Sequence, residues 1–576
     1  MSETKIFDEF CWSRLTFFVL VIGFALPLNR VKLKSIMDSE IVTMRQKQFF
    51  LIKFFRQAFV FPRWQDAILA LLTAFLLILS FPDFELWFLA WLAFVPLLIA
   101  IEKNKDSAAQ SFWLGLLSGG GFYFGSCWWV TYAPIHYGGL PVLLVYLLFL
   151  PVTIAAGLFT GLFAAILARL LSKFGHGAIF LTPFVWTACE FARYWLTGNA
   201  WVALGYSQSF KPDNIQLANF GGVFLISFIL IVSNSLILNW YLKKTSHWSS
   251  YLFLSLLIIL MALPYFLAKN GADAIQNKAL ASAVVVALQP NVPMSGLTYD
   301  KYYDLRERHV ELTENALREI DADSELKNLP RIVVFPESPM SFQYARDSEF
   351  REFVANFNRR NRASLVFNGW EPTTIDDSLT NSAVMVNERG EKIAQYDKIR
   401  LVPFGEYIPG WIPFSSLMPT VVGRSTPGKD VRLMPFGSSA RAGIMICFDS
   451  AFGDVSGRAV ENGADVLVEL TNDGYSGETP LIRQHLAHSV FRAVETNRPL
   501  LRVTNVGISG YINERGEISD ATGIYQPATR VWTVGKSAGV ETFYVRHGDL
   551  FAQICTVLSL IFLSLTFFNL RKVNNN

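Results

Sequence analysis

Three short stretches put chemistry-bearing side chains at or beyond the ends of apolar runs. They are FPESPM with Glu337, YDKIRLVPFGEYIP with Lys398 and Glu406, and GIMICFDSAF with Cys447. A thiol attacks a carbonyl as its thiolate, and a nearby carboxylate can take its proton. An ammonium close to both can hydrogen-bond the oxyanion that develops on the attacked carbonyl. A Glu–Lys–Cys set therefore holds a base, an electrophilic stabiliser and a nucleophile without any histidine. Each residue alone has a plainer reading. A lone cysteine is ordinarily a small buried hydrophobe, and a loop Glu or Lys is ordinarily solvated. The combination and order of the motifs carry the chemical reading.

Cysteine usage fits it. Of the five cysteines, Cys11, Cys127, Cys189 and Cys555 lie in or beside apolar segments, and Cys447 is alone in the more polar part of the chain. No CxxC occurs, so neither a zinc site nor a disulfide framework is expected, and nothing calls for a cofactor. The formal charge of +3 points to no nucleic-acid partner. Nothing demands an oligomer, so a monomer is expected.

The elements that must position these residues read as buried strands over 282–289, 331–337, 364–369, 382–387, 443–447, 465–472 and 500–505, with helical patterns over 300–323 and 480–497. That is an α/β or layered α+β plan, with ligand groups expected where strands end. Around it the chain is apolar: 52% of residues are hydrophobic and 17% charged, against about 25% charged in soluble domains. A membrane span takes about 20 apolar residues. Eight candidates run over roughly 66–82, 85–101, 111–133, 141–168, 178–197, 217–241, 250–268 and 549–568, the first two as a tilted hairpin joined by FPDFEL. Arg56, Arg63, Lys103, Lys105, Arg169, Lys173, Lys243, Lys244, Arg571 and Lys572 all fall on one side if the spans alternate, which makes that side cytoplasmic. The expected domains are therefore an N-terminal extension, 1–64, and a seven-span bundle, 65–269. An extracytoplasmic domain, 270–547, and a last span with a short cytoplasmic tail, 548–576, follow. Residues 15–28 are a further apolar segment, either spanning or interfacial, and Met44 is an alternative start.

PES (336–338), YDKIRLVPFGEYIP (396–409), ICFDS (446–450) and LTNDGYSG (470–477) resemble the carbon–nitrogen hydrolase, or nitrilase, superfamily. Fusion to an apolar bundle and one C-terminal span is similar to its membrane-fused branch, the apolipoprotein N-acyltransferase family. HYGGLP (136–141), ALGYSQ (203–208) and RQHLAHSVFRAVETNRPLLRVTNVGISG (483–510) extend the resemblance over about 65 to 568. It implies an αββα sandwich, with Glu337 as general base, Lys398 as oxyanion stabiliser and Cys447 as nucleophile. Glu406 matches a second essential glutamate, acting at the site or pairing with Lys398 to position it. Tyr407, Phe448, Asp449 and Asn472 match positions that support the site. Two departures stand out: Phe448-Asp449 replaces a common Tyr-Glu, and Tyr299 occupies a place usually held by Trp, where substrate contact is expected.

The same resemblance implies a ping-pong acyl transfer at the bacterial inner membrane, with the catalytic domain on the periplasmic side. An acyl chain passes from a phospholipid, usually phosphatidylethanolamine, to the cysteine thiol. It then passes to the α-amino group of the diacylglyceryl-cysteine of an apolipoprotein. Glu190 and Arg193, i and i+3 on the fifth span, read as a structural ion pair or a head-group contact. Gly119–Gly121 reads as close helix packing. His485 and His488 lack further ligands, so no metal is expected. Two rivals remain: a membrane-tethered amidase that passes its acyl group to water, and a transporter or receptor with a non-catalytic binding domain.

Overall fold

The computed structural model describes residues 60–242, 281–373, 378–408 and 425–568, apart from positions 199 and 538, with scattered positions between 248 and 262. The 15–28 run, Met44, Arg56, Lys243, Lys244, Arg571, Lys572 and most of the expected 250–268 span lie outside the described residues. Two compact units emerge. One takes the residues up to Ser207, Phe224–Ala262 and those from Leu550 on. The other takes Gln208–Val223 and the residues between Ala262 and Leu550.

The first unit is helical: α1 (Trp64–Ser80), α2 (Val95–Lys103), α3 (Ala108–Ser126), α4 (Val142–Phe174), α5 (Thr182–Thr197), most of α6 (Ala218–Leu242) and a final helix, Leu550–Leu565. Two stretches, Val142–Thr197 and Ala218–Leu242, are long and apolar enough to cross a membrane, and Trp64–Ser80 and Leu550–Leu565 are shorter apolar helices. The expected 85–101 span is not one helix. A 3₁₀ turn, Trp87–Trp91, precedes α2, whose first turn holds Pro96. Proline lacks an N–H and clashes with the preceding turn, so it starts a helix more readily than it continues one. The glycine run of α3 packs against α4 at backbone distance. A Cβ on Gly119 would fall 2.5 Å from Thr160 Oγ1, and one on Gly157 would fall 2.6 Å from the Gly120 nitrogen.

The second unit contains β1 (Ala281–Gln289), α7 (Tyr299–Ala322), β2 (Arg331–Val334), α8 (Ser348–Asn361), β3 (Ala363–Pro372), β4 (Leu379–Val386), β5 (Lys392–Asp397), β6 (Leu433–Phe436), β7 (Ala440–Ile446), α9 (Gly453–Glu461), β8 (Val466–Thr471), α10 (Leu481–Thr496), β9 (Leu500–Thr504), β10 (Gly510–Ile512), β11 (Ile518–Ser519) and β12 (Ala528–Gly535). Two six-stranded sheets result, ordered β12-β1-β2-β3-β4-β5 and β11-β10-β9-β8-β7-β6. Each has a parallel centre, β1-β2-β3 and β7-β8-β9.

Parallel central strands are apolar on both faces, and the two faces of β1 show why. Val285 and Ala287 join Ile332, Ile444 and Val468 in the layer between the sheets. Val284 and Val286 instead pack with Leu317 of α7 and with Val354 and Phe357 of α8. On the outer side of the other sheet, a Cβ on Gly443 would fall 2.6 Å from that of Ala459, so α9 lies close on β7. Helix, sheet, sheet, helix is the layer order.

The seven expected strands are all present, five of them ending one to three residues earlier than expected. β2 stops at Val334 and β7 at Ile446, so Glu337 and Cys447 stand just beyond strands, not in them. β5, β6, β10, β11, β12, α8 and α9 were not expected. Gln208–Val223, expected in a loop and the start of a span, anchors on the second unit. Val223 N–H donates to Glu495 at 3.2 Å, and Gly222, at φ +62°, leaves room for the Tyr544 ring, 2.6 Å from where a Cβ would sit.

Candidate active site

β5 runs the same way as β2 because two antiparallel pairings separate it from β3, which is parallel to β2, and in the other sheet β7 and β8 are parallel. The carboxyl ends of the two sets meet at one edge, where Tyr396 of β5 reaches Asp449 beyond β7 at 2.8 Å, and ligand groups are expected at such ends in open sheets. Glu337 follows β2, Lys398 follows β5, Cys447 follows β7, and Asn472 and Asp473 follow β8.

Lys398 is the centre of this set. Its Nζ lies 3.0 Å from Glu406 Oε1 and 3.7 Å from Glu337 Oε1. Asn381, near the start of β4, donates its Nδ2 to both carboxylates at 2.8 Å. A buried ammonium is costly unless it is paired and hydrogen-bonded. Here burial pulls Lys398 down, but Glu337 and Glu406 outweigh it and hold its pKa well above the ordinary lysine range. Glu337 is pushed up by burial, with Lys398 opposing and Glu406 reinforcing. The thiol is raised well above its ordinary range by burial and by the neighbouring Glu337 charge, against the pull of Lys398. At rest the proton stays on sulfur, beside a carboxylate more basic than usual. That arrangement can deprotonate a thiol at the moment of attack.

Cys447 has φ +49°, in the left-handed region. Such conformations in non-glycine residues persist only where the surroundings impose them, and they cluster at functional sites. Asp449 braces the turn. Its Oδ2 accepts from Ile446 N–H at 3.0 Å and Tyr396 O–H at 2.8 Å, and its Oδ1 accepts from Arg400 N–H at 2.8 Å. Burial pushes its pKa up to about 6.

The other expected site residues divide. Glu406 closes its own loop by accepting Val402 N–H at 2.8 Å, and Tyr407 pairs with Phe404 in the same loop through a 2.8 Å backbone bond. Phe448 stacks edge-on against Phe452, 5.2 Å between ring centres. Asn472 accepts from Gly474 N–H and donates to Met294 Sδ, so it shapes the loop after β8. Tyr299 begins α7, and its side chain lies outside the described residues. Glu190 and Arg193 are each 5% exposed within the helical unit. Glu190 accepts Leu204 N–H at 2.7 Å, and Arg193 lies over the Tyr123 ring.

Residues that sequence reasoning missed are Asn381, Tyr396, Tyr475 and His485. Tyr475 stands close enough to Glu337 and Cys447 for their charges to act on its phenol. Asn381 had one signal, a polar side chain inside a strand whose other residues are mostly apolar or small.

This sandwich, with its strand-end Glu, Lys and Cys, is a carbon–nitrogen hydrolase domain, and the family model for carbon–nitrogen hydrolase matches residues 274–542. A second model, the N-terminal domain of apolipoprotein N-acyltransferase, matches residues 73–236. The apolipoprotein N-acyltransferase of Geobacter metallireducens is 30% identical over 518 residues, covering 88% of this chain and 96% of that protein. That of Nostoc sp. is 29% identical, covering 86% and 99%. Among solved structures, an amidase from Nesterenkonia sp. AN1 superposes with TM-score 0.35 and 16% identity over 48% of this chain and 97% of its own. The chain belongs to the apolipoprotein N-acyltransferase family.

Proposed function

We propose that this chain moves an acyl chain from a membrane phospholipid to the amino terminus of a diacylglyceryl-modified apolipoprotein, through a thioester on Cys447. In the first half, Glu337 takes the thiol proton and the sulfur attacks the ester carbonyl of the donor, expected to be phosphatidylethanolamine. Lys398, with a backbone N–H, hydrogen-bonds the tetrahedral oxyanion. The ester C–O bond breaks, the lysophospholipid leaves with the proton held by Glu337, and the acyl group stays on sulfur. In the second half, the α-amino group of the lipid-modified cysteine attacks the thioester. Glu337 accepts its proton and returns one to the departing thiolate, so acid and base roles alternate.

The observation that carries this reading is the Glu337–Lys398 approach of 3.7 Å, with Cys447 close enough for both charges to act on its thiol. The relatives' names favour an amine acceptor over water. The residues assigned to catalysis are thus Glu337, Lys398 and Cys447, with Glu406, Tyr407, Phe448, Asp449 and Asn472 in support and Tyr299 toward substrate.

The proposed setting is the bacterial inner membrane. About eight passes would be drawn from 65–269 and 548–576, the first two as a tilted hairpin, with 270–547 as the periplasmic catalytic domain. Arg63, Lys103, Lys105, Arg169 and Lys173 support that orientation, since they fall on one side of alternating spans. Both substrates are lipid-anchored, which fits a catalytic domain tethered at each end.

Intact-mass spectrometry tests the chemistry. Protein incubated with phospholipid alone should gain one acyl chain, and Cys447→Ala should gain none. A diacylated lipopeptide should then discharge the adduct as an N-acyl peptide. Discharge to free fatty acid at the same rate without lipopeptide would favour a hydrolase, and an adduct surviving in Cys447→Ala would end the covalent route.

A further inference from the structure

The strained backbone of Cys447 needs a restraint on its carbonyl side as well as on its amide side. Ser450 Oγ donates to the Cys447 carbonyl at 3.0 Å, and His485 Nε2 lies 3.2 Å from the same oxygen. His485 is 2% exposed and stands on α10, which carries none of the residues assigned above. Its Nδ1 lies 2.7 Å from Asp473 Oδ1, and its Nε2 is also 3.3 Å from Glu469 Oε1. Arg502 Nη2 also lies 3.2 Å from Nδ1, and Ser450 Oγ lies 3.0 Å from Nε2.

The partners are themselves fixed. Arg502 donates to Asp473 Oδ2 at 2.9 Å and to Glu469 Oε1 at 2.6 Å, and Ser489 donates to Glu469 Oε2 at 2.6 Å. All five side chains are at most 2% exposed. These contacts fix the ring, with Nε2 on the side of the Cys447 carbonyl and of Ser450 Oγ, which donates to the same carbonyl.

We propose that His485 is a positioning residue for the acyl transfer: it grips the Cys447 carbonyl and thereby aims the N–H of the same peptide unit at the developing oxyanion. The proposal rests on the thioester reading above. A trans peptide is planar, with its C=O and N–H on opposite edges. Fixing the Cys447 oxygen toward α10 therefore turns the Phe448 N–H away from α10. Two donors converge on one oxygen, and one of them is braced by a carboxylate. That is more restraint than a turn needs merely to form. An oxyanion donor works only when its direction is set before the reaction, which gives the restraint a catalytic purpose.

The test separates attack on a carbonyl from simple thiol reactivity, in the full chain. One measurement is single-turnover acylation of Cys447 by phospholipid, read by intact mass. The other is alkylation of Cys447 by iodoacetamide, which displaces iodide and builds no oxyanion. In His485→Leu, acylation should fall about 100-fold, the cost of a misplaced catalytic group, while alkylation stays within about threefold. His485→Gln keeps an N–H able to reach the carbonyl and should recover acylation to within about tenfold of the parent. Ser450→Ala removes the second donor and leaves the buried charges intact. It should show the same split, about tenfold in acylation alone, even if His485→Leu fails to fold.

Equal acylation in the parent, His485→Leu and Ser450→Ala would overturn the proposal, as would acylation and alkylation falling in parallel. A parent that forms no adduct on Cys447 at all would overturn the thioester reading first, and this proposal with it.

Discussion

Replacing Glu406 with glutamine separates the two roles that the sequence leaves open for it. Its Oε1 accepts from Lys398 at 3.0 Å and from Asn381 at 2.8 Å, and its Oε2 accepts from Val402 N–H at 2.8 Å. Glutamine keeps one acceptor oxygen, turns the other position into a donor facing a donor, and removes the charge beside Lys398. A hydrogen bond to a charged group contributes about 1.5–3 kcal/mol. At about 1.36 kcal/mol per tenfold, losing one should slow acylation of Cys447 by about 10- to 150-fold. Glu337→Gln removes the proton acceptor itself and should cost more, toward about 10⁴-fold.

The pH profile gives an independent signature. Burial is the main cause that raises Glu337, and the Glu406 charge adds to it. Glu337 must be ionised to accept the thiol proton, so acylation falls on the acid side as Glu337 protonates. Without Glu406's charge, Glu337 ionises at lower pH and that acid limb moves down. The assay is the initial rate of adduct formation across about pH 4 to 8, alongside a thermal melt. Two results would refute the assignment of Glu406 to holding Lys398 and Glu337. One is an acid limb that does not move. The other is a loss as deep as that of Glu337→Gln at unchanged melting temperature.

Two further predictions concern stability. Glu495 is fully buried, and burial is the main cause that pushes its pKa up from 4.5 to about 8. The raised value means that its contribution to stability is complete below pH 4.5 and is lost as pH rises through about 8. Glu495→Gln does not titrate, so its melting temperature relative to the parent should climb across that window, and a flat difference would contradict the sign. Gly222→Ala places a Cβ 2.6 Å from the Tyr544 ring at φ +62°. It should cost about 1–3 kcal/mol, seen as a lower melting temperature, and an unchanged melt would mean that Gly222 is not packed as described.

The strand-end residues were legible because apolar runs buried on both faces announce themselves. β1, β2, β7 and β8 belong to that class, and Glu337 and Cys447 stand one to three residues past such runs. β5 is half-exposed KIAQYD at a sheet edge, so its pattern is too weak to read, although Lys398 directly follows it. α10 misleads for a different reason. His485, Ser489, Arg492 and Glu495 suggest a solvated face, yet these four are buried. The partners that make this tolerable, Glu469, Asp473 and Arg502, lie on other elements, and periodicity carries no record of pairing at a distance. The broken 85–101 segment shows the same limit in the first unit. Apolar composition is visible there, but the helix start that Pro96 imposes is not part of a hydropathy count.

Glu337 and Lys398 hang from one sheet and Cys447 from the other, with Tyr396 of the first reaching Asp449 of the second at 2.8 Å. Reactivity is therefore a property of the closed sandwich and of neither half. A nascent or partly opened chain would expose only an ordinary sulfhydryl. The proposed capacity to take fatty chains from surrounding lipid would switch on only once the two sheets have closed on each other, which would guard the host bilayer against its own maturing enzyme.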